Sequence, residues 1–150
     1  MKNIAILLLA IAAVPGAFAQ TTQTCASADE KQIAGLFDRW NASLKNLDPS
    51  RVVANYTADS VLLATVQNQP RLTQDDRLNY FTKFLKMAPE GTINSRNIKI
   101  GCNTASDVGT YTFKMKDGSQ VVARYSYIYS HQNGEWLISH HHSSVMPEKT

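Results

Sequence analysis

The chain of 150 residues lacks a hydrophobic run long enough to cross a bilayer. The longest, Ile4 to Val14, falls well short of the about 20 residues a spanning helix needs. Only two cysteines occur, at Cys25 and Cys102, and no C-x-x-C, which leaves dithiol redox catalysis without its motif. With Lys2 set aside, eight Lys and six Arg stand against twelve acids, a net charge of +2. The basic residues are scattered and not interleaved with aromatics, so nucleic-acid binding has little support. Internal repeats and low-complexity segments are missing, and so is the G-x-S-x-G elbow of a serine hydrolase.

The opening residues, "MKNIAILLLAIAAVPGAFAQ", join one Lys, an apolar run and Ala17-Phe18-Ala19 before Gln20. That is the pattern of a secretory signal peptide, with cleavage expected after Ala19. An uncleaved anchor is the alternative. Cys25 lies beyond the small-residue site, so lipid attachment is not expected. Residues 20–150 then form one small domain, periplasmic or secreted, without membrane contact after cleavage. In an oxidising compartment Cys25 and Cys102 are expected to pair, tying the N-terminal segment to a central strand. The alternative is two buried free thiols. Closing a loop of this size stabilises by about 4.5 kcal/mol in the chain-entropy account.

Ser27-Ala28-Asp29-Glu30 has capping-box spacing, with Ser27 at the N-cap. Behind it Ile33, Leu36, Phe37, Trp40 and Leu44 share one helical face. Asp48-Pro49 reads as an N-cap followed by Pro at the first position of a short helix carrying Val52, Val53 and Tyr56. "SVLLATV" from Ser60 reads as a short strand. Thr73 caps a second long helix with Leu78, Phe81, Phe84, Leu85 and Met87 on its apolar face, ended by Ala88-Pro89. From Thr92 the period changes: "TINSRNIKI", "DVGTYTFKM", "SQVVARYSYIYS" and "EWLISHHHSS" read as four strands. Asp117-Gly118 and Asn133-Gly134 mark tight hairpins between the last three. Helices first and antiparallel strands afterwards predict an α+β fold, a curved sheet wrapped around the long N-terminal helix as a cone with a blind pocket.

This order of elements resembles the nuclear transport factor 2-like (SnoaL-like) superfamily. More narrowly, "LFDRWNASLKNLDPSRVVANYTADSVLLATV" and "RYSYIYSHQNGEWLISHHHSSVMP" resemble bacterial relatives of the calcium/calmodulin-dependent protein kinase II association domain. In that domain the last strand follows a G-x-W and carries His-x-His-x-Ser; here Gly134-Glu135-Trp136 leads to His140-His141-His142-Ser143-Ser144. The resemblance covers nearly all of residues 20–150. It implies a cone-shaped barrel that associates with itself through its sheet, as a dimer or a larger ring. It does not imply kinase activity, because no Gly-rich loop, catalytic-loop signature or DFG occurs, nor calmodulin binding, which belongs to another segment of those kinases. One fold here hosts isomerases, dehydratases, ligand binders and assembly modules, so the superfamily alone names no reaction.

Strand alternation sorts the three histidines. His140 and His142 share a face with Trp136 and Ile138; His141 shares the other with Leu137, Ser139 and Ser143. With a two-residue turn at Asn133-Gly134, Arg124 stands across from Ser143, Ser126 from His141, Tyr127 from His140 and Tyr125 from His142. His140 and His142, two apart, lack the third ligand that a zinc site needs, and His131 is too far along the ladder, so no metal and no cofactor are expected. They read as packing or interface groups.

His141 beside Ser143 and Ser126 has no local acid to orient it, and the nearest candidate, Asp59, reads as a turn residue. It could still act as acid or base in an isomerase or hydro-lyase. A guanidinium flanked by hydroxyls and imidazole suits a carboxylate. A small-molecule site is therefore expected from Arg124, Ser126, His141 and Ser143, with Trp40 and Tyr56 behind, and Phe37 and Phe81 completing the lining. Register by the G-x-W does not align Arg124 with the pocket arginines of the kinase domain. A third reading is an assembly module without a ligand.

Overall fold

The computed structural model describes residues 24–65 and 67–147. The expected leader at residues 1–19 lies outside them. Within them the chain runs α1 (Glu30–Leu44), α2 (Pro49–Val53), β1 (Tyr56–Leu63), α3 (Gln74–Phe84) with a following 3-10 turn, then β2 (Glu90–Gly101), β3 (Thr104–Lys114), β4 (Gln120–Gln132) and β5 (Glu135–Val145). The sheet order is β1-β5-β4-β3-β2. β1 runs parallel to β5 and the other pairs are antiparallel. This is the α+β arrangement expected: a long first helix against a curved mixed sheet.

α1 forms because Ile33, Phe37, Trp40 and Leu44, spaced four, three and four apart, are all buried on one stripe. Its cap differs from expectation. Asp29, not Ser27, is the N-cap: its carboxylate accepts from the Gln32 N–H at 2.7 Å, and the Gln32 amide oxygen accepts from the Asp29 N–H at 2.9 Å. Asp29-x-x-Gln32 is itself a capping box, and the residues before it are held elsewhere. The Ala26 N–H donates to the Asn103 side chain at 2.7 Å, and Cys25 is disulfide-bonded to Cys102. The expected disulfide is present, but Cys102 lies in the turn after the edge strand β2 and not on a central strand. The bond fastens the approach to α1 onto the turn between β2 and β3, where Asn103 has φ 57°.

Asp48 and Thr73 cap α2 and α3 as expected. β1, however, begins at Tyr56, four residues before the expected Ser60. Its register against β5 is broken between Tyr56 and Val61. The carbonyls of Thr57, Ala58 and Ser60 in that break accept from the guanidinium of Arg77 on α3, which is 1% exposed and also reaches the Leu72 carbonyl. An arginine four residues into a helix gives no strand signal in sequence, yet it satisfies the backbone of this irregular strand.

Two further irregularities bend the sheet. β2 shifts register against β3 between Ile93 and Ser95, and β5 shifts against β4 between Ile138 and His140. Bulges of this kind raise local twist and curl a sheet toward a barrel. Next to the first bulge, β3 approaches β2 so closely that a Cβ on Gly109 would sit 2.0 Å from the Ser95 carbonyl oxygen. The concave face is aromatic: Tyr111 and Phe113 of β3 and Tyr125, Tyr127 and Tyr129 of β4 are buried, with Tyr111 and Tyr127 against Phe37, and Phe113 and Tyr127 against Trp40. Asn133-Gly134 is a two-residue turn with both φ positive, as expected. The Asp117-Gly118 turn is longer, joining the last pair, Lys114 and Gln120, through five residues.

Candidate functional site: a buried histidine on a blind cavity

One extra residue in β5 sits beside the site. From the turn inward the register follows the two-residue hairpin, with Trp136 opposite His131 and Ile138 opposite Tyr129. Ser139 is then unpaired, and beyond it His140 faces Ile128, His141 faces Tyr127, His142 faces Ser126, Ser143 faces Tyr125 and Ser144 faces Arg124. The expected pairing is therefore corrected by one residue, because the Ser139 hydroxyl donates to the Ile128 carbonyl at 3.1 Å within a bulge that alternation cannot reveal. His141 and Ser143 belong to the tyrosine face and are buried. His140, His142 and Arg124 are exposed and Ser126 is half-buried, on the convex face. Of the six residues expected to meet, the fold gathers Trp40, Tyr56, His141 and Ser143, and leaves Arg124 and Ser126 behind the sheet.

His141 is 5% exposed, with its ring 4.2 Å from that of Tyr127 and edge-on to Trp40 at 5.6 Å. Its Nδ1 lies 2.8 Å from the Tyr56 hydroxyl, which accepts the indole N–H of Trp40 at 3.1 Å. Burial pushes the imidazole down to a pKa of about 3, with adjacent His142 acting the same way. Burial also raises the Tyr56 hydroxyl well above its ordinary range. Both groups are neutral. Nε2 of His141 is buried and has no partner among the described residues.

Beside it, the Tyr111 hydroxyl donates to Ser143 Oγ at 2.6 Å, and Ser143 Oγ is in hydrogen-bond contact with Thr65 Oγ1. Both groups border a cavity of about 550 Å³. The rest of its wall is chiefly apolar, supplied by Leu62, Phe81, Phe84 and Phe113, with Gln67, Arg71, Asn79 and Lys83 as polar members. Arg71 is engaged by the Gln67 side chain at 2.9 Å, and Lys83 is exposed. The volume lies within the range of small-molecule sites.

A second buried polar group lies across the same sheet. Asp107, fully buried, takes Arg96 Nη2 at 3.0 Å and the Tyr125 hydroxyl at 2.8 Å. Burial raises its carboxyl, and the hydrogen bond from Tyr125 and the charge of Arg96 oppose that. Arg96 also reaches the Ala34 carbonyl of α1 at 3.4 Å and lies over the Phe37 ring. This group ties α1 to the sheet. Sequence reading missed it, as it missed Tyr111 and Arg77; only the alternation of Asp107 with Ala105 and Tyr111 could have hinted that Asp107 points inward. Among the described residues no three His, Cys, Asp or Glu side chains are grouped to hold a metal ion.

A curved mixed sheet closed over an α1 plug, with a blind cavity against the last strand, defines the nuclear transport factor 2-like class. Residues 29–147 match the family model described as "Calcium/calmodulin dependent protein kinase II association domain", and the chain belongs to that family. A crystal structure from Xanthomonas campestris, provisionally described as an association domain of this kind, is 42% identical. The match covers 82% of this chain and 91% of that one with TM-score 0.78. A nuclear transport factor 2-like protein from Pseudomonas putida KT2440 is 18% identical over 81% and 89% of the two chains, with TM-score 0.70. A cystatin-like protein from Nostoc punctiforme PCC 73102 is 17% identical over 82% and 95%, with TM-score 0.69. The last two support the fold alone. No match was found among curated proteins.

Proposed function

We propose that this chain is an exported, self-associating association-domain relative that binds a small molecule in its cone. The observation that carries the reading is the cavity of about 550 Å³ with buried His141 on its wall. Self-association is supported by the family and by the open convex face, where Val122 and Leu63 are exposed beside His142 and Arg124. Export is supported by the leader pattern at residues 1–19 and by the Cys25–Cys102 disulfide, which suits an oxidising compartment.

Binding is favoured over acid/base catalysis by the state of His141. An imidazole that titrates near pH 3 gains no proton near neutrality, and no carboxylate in hydrogen-bond contact stabilises its cation. Arg124 is no part of this reading, since it stands behind the sheet. The test is to extract the purified protein with organic solvent, identify what it carries, and screen small molecules by thermal shift. Light scattering in parallel gives the mass. The pocket reading fails if nothing is extracted and no compound raises the melting temperature; the assembly reading fails if the mass is that of one chain.

A further inference from the structure

The hydrogen-bond direction at His141 fixes what its free nitrogen offers. An indole N–H only donates, so Tyr56 Oη accepts from Trp40. If His141 carried its proton on Nδ1, Tyr56 would accept twice. Its own buried hydroxyl proton and the Nε2 lone pair would then both lack partners. With the proton on Nε2, Tyr56 donates to Nδ1 and a single group is left over, the Nε2–H. Each buried polar group left unmatched costs about 1–3 kcal/mol, so the second arrangement prevails. The relay runs one way, from Trp40 through Tyr56 to His141, and ends as a donor.

The second relay ends at the cavity. Tyr111 donates to Ser143, whose hydroxyl contacts Thr65, and Thr65 is itself a lining residue. Neither relay contains a charged group. The wall around them is chiefly aromatic and aliphatic, with Gln67, Asn79, an exposed Lys83 and Arg71 as its polar members; Arg71 donates to Gln67 through Nη2, and its Nε is buried without a partner among the described residues. A carboxylate hydrogen-bonded to the two relays would meet only their neutral groups, and burying it there is expensive. An uncharged oxygen acceptor loses little on entry and matches the donor.

We infer that the cavity takes an uncharged, mainly apolar molecule whose carbonyl oxygen accepts the His141 Nε2–H. The inference rests on the cavity being a ligand site.

The experiment uses three naphthalenes of similar shape: 2-acetylnaphthalene, 2-isopropylnaphthalene and 2-naphthoate. Their affinities are measured on the parent protein and on His141→Phe, and nitrogen-15 NMR follows the imidazole on the parent. The ketone is expected to bind about tenfold tighter than the hydrocarbon, as one net neutral hydrogen bond gives. His141→Phe should abolish that preference while retaining hydrocarbon binding. Long-range nitrogen–proton couplings should report the Nε2–H form, with its resonance moving on ketone addition. Tyr56→Phe, which frees Nδ1, should shrink the preference if His141→Phe does not fold. Equal affinity for ketone and hydrocarbon, or an Nδ1–H imidazole, overturns the inference and leaves the cavity standing. Tightest binding of 2-naphthoate overturns the uncharged class in the same way. No binding by any of the three overturns this inference, while the small-molecule reading stands or falls by extraction and the wider screen.

Discussion

Arg77 and Ser60 meet where no water reaches: the guanidinium of a side chain 1% exposed donates to the Ser60 carbonyl at 2.7 Å. Burial lowers the pKa of that guanidinium from its ordinary value, and arginine remains charged. Its charge is compensated by backbone carbonyls of β1 and by the Leu72 carbonyl; among the described residues no acid is within salt-bridge distance, and Asp76 and Asp59 act on it only from farther off. Arg77→Met should therefore cost about 3 kcal/mol, because several buried carbonyls lose a charged donor together. Urea unfolding measures it; a change below about 1 kcal/mol would mean that water replaces the guanidinium without loss.

His141 gives the fold an acid sensitivity with a definite sign. Its native pKa, about 3, lies below the unfolded value near 6.5, so the unfolded chain binds the extra proton between those limits. No stability is lost above about pH 6.5, and below it the group removes about 1.4 kcal/mol per pH unit until the loss saturates near pH 3. His141→Phe should flatten that slope between pH 5 and 6. Denaturant titrations of both proteins across this interval check it, and parallel slopes would show that another group governs acid unfolding.

Asp107 and Arg96 are coupled through burial. Asp107→Ala strands Arg96 against α1 and should cost about 3–5 kcal/mol. Adding Arg96→Met should restore part of that loss, since removing both charges is far cheaper than removing one. A double-mutant cycle measures the coupling, and strictly additive losses would contradict it.

Gly109→Ala tests the close approach of β2 and β3. The new Cβ would lie 2.0 Å from the Ser95 oxygen and 2.7 Å from its carbonyl carbon, both backbone atoms that cannot rotate away. The strands must part, and the expected result is a loss of about 2 kcal/mol or more, seen as a lower melting temperature. Gly35→Ala, where nothing lies within 4 Å of the added carbon, is the matched control on α1 and should be neutral or slightly stabilising.

Much of this architecture could be read from periodicity. The stripe of α1, the caps at Asp48 and Thr73, the four late strands and the Asn133-Gly134 turn are local signals, and each appears where its residues placed it. The disulfide was expected from two cysteines and a leader-like pattern ahead of them. What stayed hidden was non-local. The first four residues of β1 carry no clear strand signal, and their backbone is held by Arg77, 19 and 20 residues away from the carbonyls it meets there. The Ser139 bulge carries no composition mark, yet it moves every later pairing by one residue. Alternation correctly set His141 apart from His140 and His142, and it named Trp40, Tyr56, His141 and Ser143. It joined them to Arg124 and Ser126 only because the strand was counted without its extra residue.

That extra residue is counted along β5 but not paired. Up to Ile138 the strand keeps step with its hairpin; past Ser139 it is one place out. Deleting Ser139 would let the ladder run unbroken from Ile138 to His140, with His141 still opposite Tyr127 and inside the cone. What would go is the local bend, so the extra residue sets the curvature of the last strand and not the address of its histidine.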